Sequence, residues 1–246
     1  MCGVAGGRSA NVSFVSVTER ERKSQMINEE SDRRLFAVIR ETLYTPVVGD
    51  ILDKFGCTKQ FLPQKIGPLS PTMKIVGRAM PVLISDVYGA QEKPYGLLTE
   101  ALDQLLPNEI YVASAAVQPV AMWGELLTAA AKYRGAVGAL IDGYYRDTAQ
   151  ILGQDFPVFG WGSSGEDASL RSVVREFRTE IEVGGVKVSP GDLIFGDIDG
   201  VLVIPREVEA EVFELALSKV GTENEILAQI TAGMSATEAF SRYGIL

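Results

Sequence analysis

Arg146 and Asp147 stand side by side just beyond residues 137–141, an apolar segment whose pattern predicts a buried strand. A carboxylate at the end of a strand can hold a hard divalent cation, because Mg²⁺ typically takes one or two carboxylates and keeps several waters. The neighbouring guanidinium can form paired hydrogen bonds with a carboxylate or an enolate oxygen. The two residues can equally form an ordinary ion pair at a strand end, and the pattern alone leaves both interpretations open.

Gly124 and Glu125 begin a predicted helix whose first turn would present free N–H groups and positive dipole to an anion. Glu125 could contact waters on a metal ion or remove a proton through one of them. Alternatively, an acidic residue in a first turn only offsets the helix dipole, which is the more common reason for such a residue.

The elements around these residues predict a parallel βαβ unit. Residues 110–117 form an apolar strand, the helix that begins at Gly124 follows, and residues 137–141 form the second strand. Parallel neighbours present their carboxyl ends on the same edge of a sheet. We therefore expect Gly124, Glu125, Arg146 and Asp147 to open into one crevice.

Other acidic residues have simpler interpretations. Asp142 is a candidate second carboxylate but is better explained as a turn or cap residue. The carboxylates of Asp192, Asp197 and Asp199 resemble a metal site on paper, yet each lies near a glycine in a position where turns favour aspartate. Glu223 would lie on a solvated helix face in a monomer. It would be a candidate site residue only if its helix packs on the crevice of another subunit.

Composition excludes several classes of function. The 246 residues carry a formal net charge of −9 and include no histidine. The acidic balance argues against nucleic acid as a partner, because binding to phosphates needs clustered Lys and Arg. Without histidine the chain has no Ser-His or Cys-His nucleophile pair and no His-ligated zinc. A Schiff-base mechanism is also disfavoured, since the nearest lysine, Lys132, is predicted at the far end of the helix.

We expect a cytoplasmic protein that does not insert into a membrane. No apolar run approaches the roughly 20 residues needed to cross a bilayer, and residues 1–29 lack the apolar core and cleavage site of a secretory signal. Cys2 and Cys57 are the only cysteines, so a disulfide framework is not expected.

The chain is predicted to form an N-terminal extension over residues 1–29 and a single α/β domain over residues 30–246. Periodicity and turn residues predict helices from Asp32, around Pro46, over residues 97–106 and over residues 207–232, the last ending at Gly233. Strands are predicted at residues 74–84 and 156–159, and residues 85–96 form a loop that could cover the crevice. A hairpin at Gly184-Gly185 and two further strands, 193–197 and 201–205, form an antiparallel section.

Several blocks in order along residues 30–246 resemble the family of RraA-like proteins and 4-hydroxy-4-methyl-2-oxoglutarate aldolases. The blocks are TPVVGD (45–50), GRA (77–79), GELL (124–127), GYYRD (143–147), FPVF (156–159), GGVKVSPGD (184–192) and GDIDGV (196–201). The resemblance implies an α/β fold with a swivelling β/β/α core, assembled as a homotrimer or a pair of trimers with sites at subunit boundaries.

The resemblance also implies roles for individual residues. In the aldolase pattern an acidic residue is followed, after twenty intervening residues, by Arg-Asp and then, after two more residues, by another acidic residue. Glu125, Arg146 and Asp147 occupy the first three fixed positions of this pattern. It implies that Asp147 binds Mg²⁺ or Mn²⁺ and that Arg146 contacts a 2-oxo acid substrate. The amides of Leu126 and Leu127, beside Gly124, would bind its carboxylate. Glu223 would reach a neighbouring subunit.

Two departures from the aldolase pattern bear on the reaction. Glu125 stands where the aldolases usually have Asp, and Gln150 stands where they carry a carboxylate. The favoured hypothesis is a metal-dependent lyase that releases pyruvate from a 4-hydroxy-2-oxo diacid or decarboxylates oxaloacetate through a pyruvate enolate. The alternatives are a non-catalytic RraA-like regulatory binding protein and a family enzyme that acts on a different oxo or hydroxy acid.

Overall fold

The computed structural model describes residues 19–114 and 116–244, with side chains described from residue 29 onward. The helices in this part of the chain are α1 (Glu19–Thr42), α2 (Thr45–Lys54), α3 (Leu98–Asp103), α4 (Glu125–Tyr133), α5 (Thr148–Gly153), α6 (Glu209–Thr231) and α7 (Ala236–Tyr243). None of them is both long and apolar enough to cross a bilayer. Cys57 is a free thiol, and Cys2 lies outside the described residues.

The strands are short apart from β2. They are β1 (Gly67–Pro68), β2 (Ile75–Asp86), β3 (Glu109–Ala113), β4 (Ala121–Trp123), β5 (Gly138–Ile141), β6 (Tyr144–Tyr145), β7 (Val158–Gly160), β8 (Gly162–Ser163), β9 (Ser172–Phe177), β10 (Ile181–Val183), β11 (Val186–Val188), β12 (Leu193–Gly196) and β13 (Val201–Ile204).

One large sheet organises the molecule, with strand order β1-β7-β5-β3-β2-β12-β13 and with β9 also paired to β2. The β2-β3, β3-β5 and β5-β7 pairs are parallel. Strand β2 runs antiparallel to β12 through Ile75–Arg78 and to β9 through Val82–Asp86. The long strand β2 therefore joins a parallel half of the sheet to an antiparallel half.

The predicted βαβ unit is present. Strands β3 and β5 pair in parallel with Ile110 opposite Gly138, and α4 lies between them in sequence. The strand predicted at residues 110–117 ends at Ala113, however, and the chain forms the separate strand β4 before α4. Pro119 lies in the interruption, where a residue without an N–H cannot continue a sheet ladder.

The antiparallel section also agrees with the prediction. Strands β10 and β11 form a hairpin whose turn residues Gly184 and Gly185 have φ of 57° and 87°, as a tight hairpin turn with two left-handed residues requires. Strands β12 and β13 pair antiparallel. The C-terminal helix α6 ends at Thr231, just before Gly233 with its φ of 110°.

The N-terminal boundary of the first helix was predicted wrongly. Helix α1 begins at Glu19 rather than near Asp32, so it crosses the proposed boundary between the extension and the domain. Its first turns carry Glu, Arg, Lys, Gln and Met, which favour helix without forming an apolar stripe. Periodicity therefore did not reveal them. Residues 1–18 lie outside the described residues, and the single-domain assignment of residues 30–246 stays a prediction.

Seven elements were not predicted: helices α5 and α7 and strands β1, β4, β6, β8 and β9. Helix α5 has one turn and a half and follows the Arg-Asp pair directly. Strand β9 buries Ser172, Val173 and Val174 but exposes Arg175 and Glu176, so it does not alternate as a half-buried strand should.

Two layers of helices pack against the same face of the large sheet, because Val76 and Met80, which point to one side of β2, each belong to one of the two clusters involved. In the first layer α1, α2 and α6 pack through a buried cluster that includes Ile39, Val48 and Phe213. In the second layer α3, α4 and α5 border a cluster that includes Tyr111, Met122 and Trp123. The opposite face of the sheet carries a third cluster, which includes Ile110, Leu140 and Ile194. The residues of the predicted crevice belong to this second layer.

Arg78 fastens the first layer to the sheet. From strand β2 its guanidinium donates from Nε to Asp32 of α1 at 2.9 Å and from Nη2 to Glu209 of α6 at 2.8 Å, and it forms a second contact with each carboxylate. All three side chains are largely shielded from solvent. Removing one partner of such a buried network leaves charges without compensation.

Replacing Arg78 with Met is expected to lower the free energy of unfolding by about 3 kcal/mol, because Asp32 and Glu209 would remain buried and unpaired. Urea denaturation followed by circular dichroism measures this change. The matched control is Arg175→Met, which removes one hydrogen bond from Nε to Ser85 Oγ on the exposed side of β9 and should cost less than about 1 kcal/mol. Equal losses in the two variants would show that the Arg78 network does not hold the helical layer.

Candidate active site

A second, three-stranded sheet carries the polar residues. Strand β6 pairs in parallel with β4 on one side and with β8 on the other. Gly124 directly follows β4, and Arg146 and Asp147 directly follow β6. The crevice predicted at the ends of the central strands therefore lies one step further along the chain, at the carboxyl ends of this smaller parallel sheet.

Asp147 adopts an uncommon backbone conformation. It has φ of 58° and ψ of 38° at the N-cap of α5, and its side chain does not cap that helix. Aspartate tolerates the left-handed region better than most residues, at a cost of roughly 1 kcal/mol or more. Its Oδ2 instead accepts a hydrogen bond from the N–H of Glu125 at 3.0 Å, in the first turn of α4. In this left-handed conformation the carboxylate of Asp147 lies against the positive end of α4.

Gly124 makes this close approach possible. A Cβ at this position would lie 2.6 Å from Asp147 Oδ2 and 3.3 Å from Arg146 Cγ. The φ of Gly124 is −165°, which any residue can adopt. Glycine is required here because a side chain would overlap the Asp147 carboxylate, and not because the backbone conformation is restricted to glycine.

Arg146 lies between two carboxylates. Its Nη1 is 3.0 Å from Asp167 Oδ1, and its Nε is 3.9 Å from Asp147 Oδ2. The backbone N–H of Arg146 also donates to the carbonyl of Trp123 at 2.9 Å, which fixes the start of the turn. The guanidinium is therefore oriented by one close ion pair and remains about two-fifths exposed.

Asp167 was not singled out from the sequence. Besides Arg146 it accepts hydrogen bonds from Tyr95 Oη at 3.2 Å and from the N–H of Ser169 at 3.0 Å. Burial opposes its charge, but the hydrogen bonds from Ser169, the charge of Arg146 and the hydroxyl of Tyr95 together hold the pKa of this carboxyl below its usual range. Asp167 is therefore ionised at neutral pH and can keep Arg146 in place.

These residues line one cavity of about 360 Å³. One end is charged and consists of Arg146, Asp147 and Asp167. The remaining wall is mostly apolar and includes side chains from α3, β4 and α4, namely Leu98, Leu102, Met122, Trp123, Leu126 and Leu127. The first-turn N–H groups of Leu126 and Leu127 have no acceptor in their own helix, because α4 begins at Glu125.

The structure thus brings together five of the predicted site residues: Gly124, Leu126, Leu127, Arg146 and Asp147. Glu125 contributes its backbone N–H to Asp147, but its exposed side chain is not part of the cavity lining. A catalytic role for the Glu125 carboxylate stays a prediction. Gln150, the second departure from the aldolase pattern, is exposed on α5.

Glu223 lies on α6, which belongs to the first helical layer, and it does not line the cavity. Its carboxylate accepts a hydrogen bond from Tyr44 Oη and lies 3.5 Å from Lys219 Nζ. Burial, together with this hydrogen bond, raises the pKa of Tyr44 to about 12. A contact between Glu223 and a neighbouring subunit stays a prediction.

The remaining acidic candidates have structural roles. Asp142 is buried, accepts a hydrogen bond from Trp161 Nε1 at 2.9 Å and does not line the cavity. Asp197 accepts hydrogen bonds from the backbone N–H and the hydroxyl of Thr45 at the start of α2. Asp192 Oδ2 accepts from the N–H of Ser189 at 2.8 Å. The structure agrees with the turn and cap interpretation.

The donor set fits a hard divalent cation that keeps much of its water. Asp147 offers a carboxylate that is two-fifths exposed at the charged end of the cavity, and Asp167 supplies a second acidic group in the same wall. Among the described residues, no group of three or more His, Cys, Asp or Glu side chains converges as a metal cage. Few protein ligands and several waters are typical of Mg²⁺.

Sequence reasoning missed Asp167 and the contribution of α3 to the wall. Asp167 follows β8, the third strand of the small sheet, and its backbone bridges to Ala121. The two-residue strands β6 and β8 are too short to give a pattern of alternation. The sequence offered one signal, which is that acidic residues follow each of the three short segments that form β4, β6 and β8.

The fold and the cavity define an α/β protein with an Arg-Asp pair and a helix N-terminus at the carboxyl edge of a small parallel sheet. A sequence model of the RraA-like family, described as Aldolase/RraA, matches residues 45–203. The chain belongs to this RraA-like family.

Individual relatives agree with this assignment. The chain is 30% identical over 200 residues to a protein of Halalkalibacterium halodurans named "Putative 4-hydroxy-4-methyl-2-oxoglutarate aldolase", covering 81% of this chain and 90% of the relative. It is also 30% identical over 200 residues to Protein DlpA of Legionella pneumophila, covering 80% of this chain but only 32% of that longer protein.

A solved structure confirms the predicted fold. RraAS2 of Streptomyces coelicolor, described as an unusual member of the RNase ES inhibitor RraA protein family, superposes with a TM-score of 0.71. The match covers 80% of this chain and 98% of RraAS2 at 21% sequence identity. The α/β architecture with its βαβ unit, antiparallel section and long C-terminal helix is therefore that of RraA proteins.

Replacing Gly124 with Ala is expected to lower the free energy of unfolding by about 1–3 kcal/mol, because the added methyl group would overlap the Asp147 carboxylate. Chemical denaturation measures the change. Gly153→Ala is the matched control, since no atom lies within 4 Å of a Cβ built there, and at the end of α5 alanine should be neutral or stabilising by up to about 1 kcal/mol. Unchanged stability of Gly124→Ala would contradict the close approach of Asp147.

Asp167→Asn is expected to destabilise the protein at neutral pH and to do so less as the pH falls below about 4, near the ordinary pKa of aspartate. The folded-state pKa of Asp167 is depressed, so its stabilising effect is present above the unfolded-state pKa and is lost as the pH falls through the folded-state pKa. Urea denaturation of both proteins from pH 3 to pH 7 measures the difference. A difference that stays constant across this range would exclude the ionised Asp167 as its source.

Proposed function

We propose that this protein is a divalent-metal-dependent lyase that releases pyruvate from 2-oxo acids. Its reactions would be the retro-aldol cleavage of a 4-hydroxy-2-oxo acid and the decarboxylation of oxaloacetate, which pass through the same pyruvate enolate. The observation that carries the proposal is the meeting of Arg146, Asp147 and the first turn of α4 in one cavity. The relative named as a putative aldolase is a second support.

The first turn of α4 would bind the carboxylate of the substrate. Leu126 and Leu127 line the cavity, and their N–H groups belong to the first turn of a helix, where unsatisfied donors and the helix dipole favour an anion. The N–H of Glu125 already donates to Asp147. The two following donors are therefore the ones that remain for a ligand.

Arg146 would stabilise the negative charge that develops on the C2 oxygen when the carbon–carbon bond breaks. Its orientation is fixed beforehand by Asp167 at 3.0 Å, so little reorganisation is needed as the charge appears. A planar guanidinium has five N–H donors, and one ion pair leaves others for the substrate.

Asp147 would hold Mg²⁺ or Mn²⁺, with water completing its coordination. A bound cation of this kind supplies Lewis acidity at the carbonyl and carboxylate oxygens of a 2-oxo acid. The hydrogen bond from the Glu125 N–H fixes Asp147 Oδ2, which leaves Oδ1 for the cation. The side chain of Glu125, if it turns toward the cavity, is the candidate that would move a proton through water.

The proposed activity is tested by coupled detection of pyruvate with oxaloacetate, 4-hydroxy-4-methyl-2-oxoglutarate and 4-hydroxy-2-oxohexanoate, each with Mg²⁺ and with EDTA. Turnover should require the metal. Asp147→Asn and Arg146→Lys should each lower kcat/KM at least about 100-fold, because the first removes the anionic ligand of the cation and the second replaces the planar fork of guanidinium donors with a single ammonium group.

The matched controls are Asp103→Asn and Arg134→Lys, which alter an exposed Arg-Asp pair with a 2.7 Å contact outside the cavity. They should keep turnover within about twofold. Full activity in EDTA or in Asp147→Asn would refute the metal-dependent reaction. Absence of pyruvate from all three substrates would favour the two alternatives, a regulatory binding protein or an enzyme for a different oxo or hydroxy acid. RraAS2 is described as a member of an RNase inhibitor family, which is the support for the first of these.

We also propose that the protein assembles as a homotrimer or a pair of trimers, with Glu223 reaching a neighbouring subunit. Several large apolar side chains are strongly exposed on the single chain, among them Tyr88, Val117 and Leu126. Leu126 also lines the cavity. Exposed apolar surface of this kind commonly marks an interface. Light scattering after gel filtration should give three or six times the 26.6 kDa mass of the chain, and a monomer mass would contradict the assembly.

A further inference from the structure

The charges of the cavity limit the number of carboxylates that a substrate can carry. Among the described residues, Arg146 is the only Lys or Arg in the lining, and Asp147 and Asp167 are the only acidic residues. The protein therefore contributes a net charge of −1 to this space. With one divalent cation the sum becomes +1, which a single substrate carboxylate neutralises.

A second carboxylate would find no cation in the described wall. Arg146 already forms a 3.0 Å ion pair with Asp167, and the first-turn amides of α4 can hold only the carboxylate beside the reacting carbonyl. Moving an unpaired carboxylate out of water against apolar side chains is strongly unfavourable.

The wall away from the charged end is suited to an apolar group. Leu98 and Leu102 of α3, Met122 and Trp123 of β4, and Leu126 of α4 lie around it. Trp123, Met122 and Leu102 are buried members of the core cluster on this side of the sheet, so they form a fixed surface. Thr99 is the exposed polar residue on the α3 side of the cavity.

We propose that the preferred substrate is a 2-oxo acid with one carboxylate and an uncharged, apolar arm, rather than a 2-oxo diacid. This inference rests on the proposed function for the reaction itself. It assigns Leu98, Leu102 and Met122 as the residues that select the arm. The arm would lie along α3 and β4 while the carboxylate and carbonyl face Arg146 and the start of α4.

The cleavage of such a substrate is a balanced retro-aldol reaction. The C4 hydroxyl loses its proton, the C4 oxygen forms a carbonyl, and the C3–C4 bond breaks with its electron pair moving to C3. The resulting enolate of pyruvate takes one proton at C3. A 4-hydroxy-2-oxo acid with an apolar arm thus yields pyruvate and an apolar aldehyde or ketone, with no oxidant or reductant.

The direct test compares 4-hydroxy-2-oxohexanoate with 4-hydroxy-2-oxoglutarate in the presence of Mg²⁺. The two differ at C4, where the first has an ethyl group and the second a carboxylate of similar size. We expect kcat/KM to be at least tenfold higher for the ethyl compound. Equal values, or a preference for the diacid, would overturn the inference while leaving the proposed lyase activity intact.

A cation added to the wall should reverse this selectivity. Thr99 is exposed on α3, and among the described residues its hydroxyl donates only to the neighbouring Glu100, so Thr99→Arg carries little risk for folding. It should raise the ratio of kcat/KM for the diacid over the ethyl compound at least tenfold. Thr99→Gln, of similar reach but neutral, should leave the ratio within about twofold. An unchanged ratio in Thr99→Arg would contradict the assignment of this wall to the arm.

A binding measurement separates this inference from the proposed activity. 2-Oxohexanoate and 2-oxoglutarate lack the C4 hydroxyl and cannot undergo the cleavage. With Mg²⁺ present, calorimetry should give at least tenfold tighter binding of 2-oxohexanoate, a preference that Thr99→Arg reduces. If no substrate is cleaved, the proposed lyase activity is wrong, but tighter binding of 2-oxohexanoate would still support a ligand with one carboxylate and an apolar arm. Tighter binding of 2-oxoglutarate, or binding of neither acid, would overturn it.

Discussion

The contact between the Asp147 carboxylate and the first turn of α4 is the interaction on which the site depends. It requires a left-handed backbone at Asp147, a glycine at position 124 and a hydrogen bond from Glu125 N–H at 3.0 Å. These requirements come from two segments, Gly124-Glu125 after β4 and Asp147 after β6, and the small parallel sheet brings the two together. The cost of the strained backbone is of order 1 kcal/mol or more, so the surrounding contacts must hold this arrangement in place.

The two helical layers have different roles. The layer of α1, α2 and α6 is fastened by the buried network of Arg78, Asp32 and Glu209 and carries no part of the cavity. The cavity lies in the second layer, and helices α3 and α4 together with strand β4 supply its apolar wall. Arg146 connects the charged end of that cavity to Asp167, and this ion pair orients the guanidinium without occupying all of its donors.

Sequence patterns predicted most of the framework because long apolar or alternating segments determine it. The βαβ unit, the Gly184-Gly185 hairpin and the helix before Gly233 all have such signals. The patterns failed where local chemistry acts without periodicity. The charged start of α1 forms helix by propensity, and strands as short as β6 and β8 carry no alternation. Asp167 was missed for the same reason, since only the three-dimensional pairing of β8 with β6 brings it to Arg146.

We propose that Asp147 and the start of α4 form a single site for a divalent cation and a 2-oxo acid. A crystal structure with Mn²⁺ and oxalate, a stable mimic of the pyruvate enolate, tests it most directly through the anomalous signal of manganese. We expect a manganese peak within about 2.3 Å of a carboxylate oxygen of Asp147, with oxalate contacting Arg146 and the N–H groups of Leu126 and Leu127. Manganese bound elsewhere, or a cavity that excludes both ligands at saturating concentration, would contradict it.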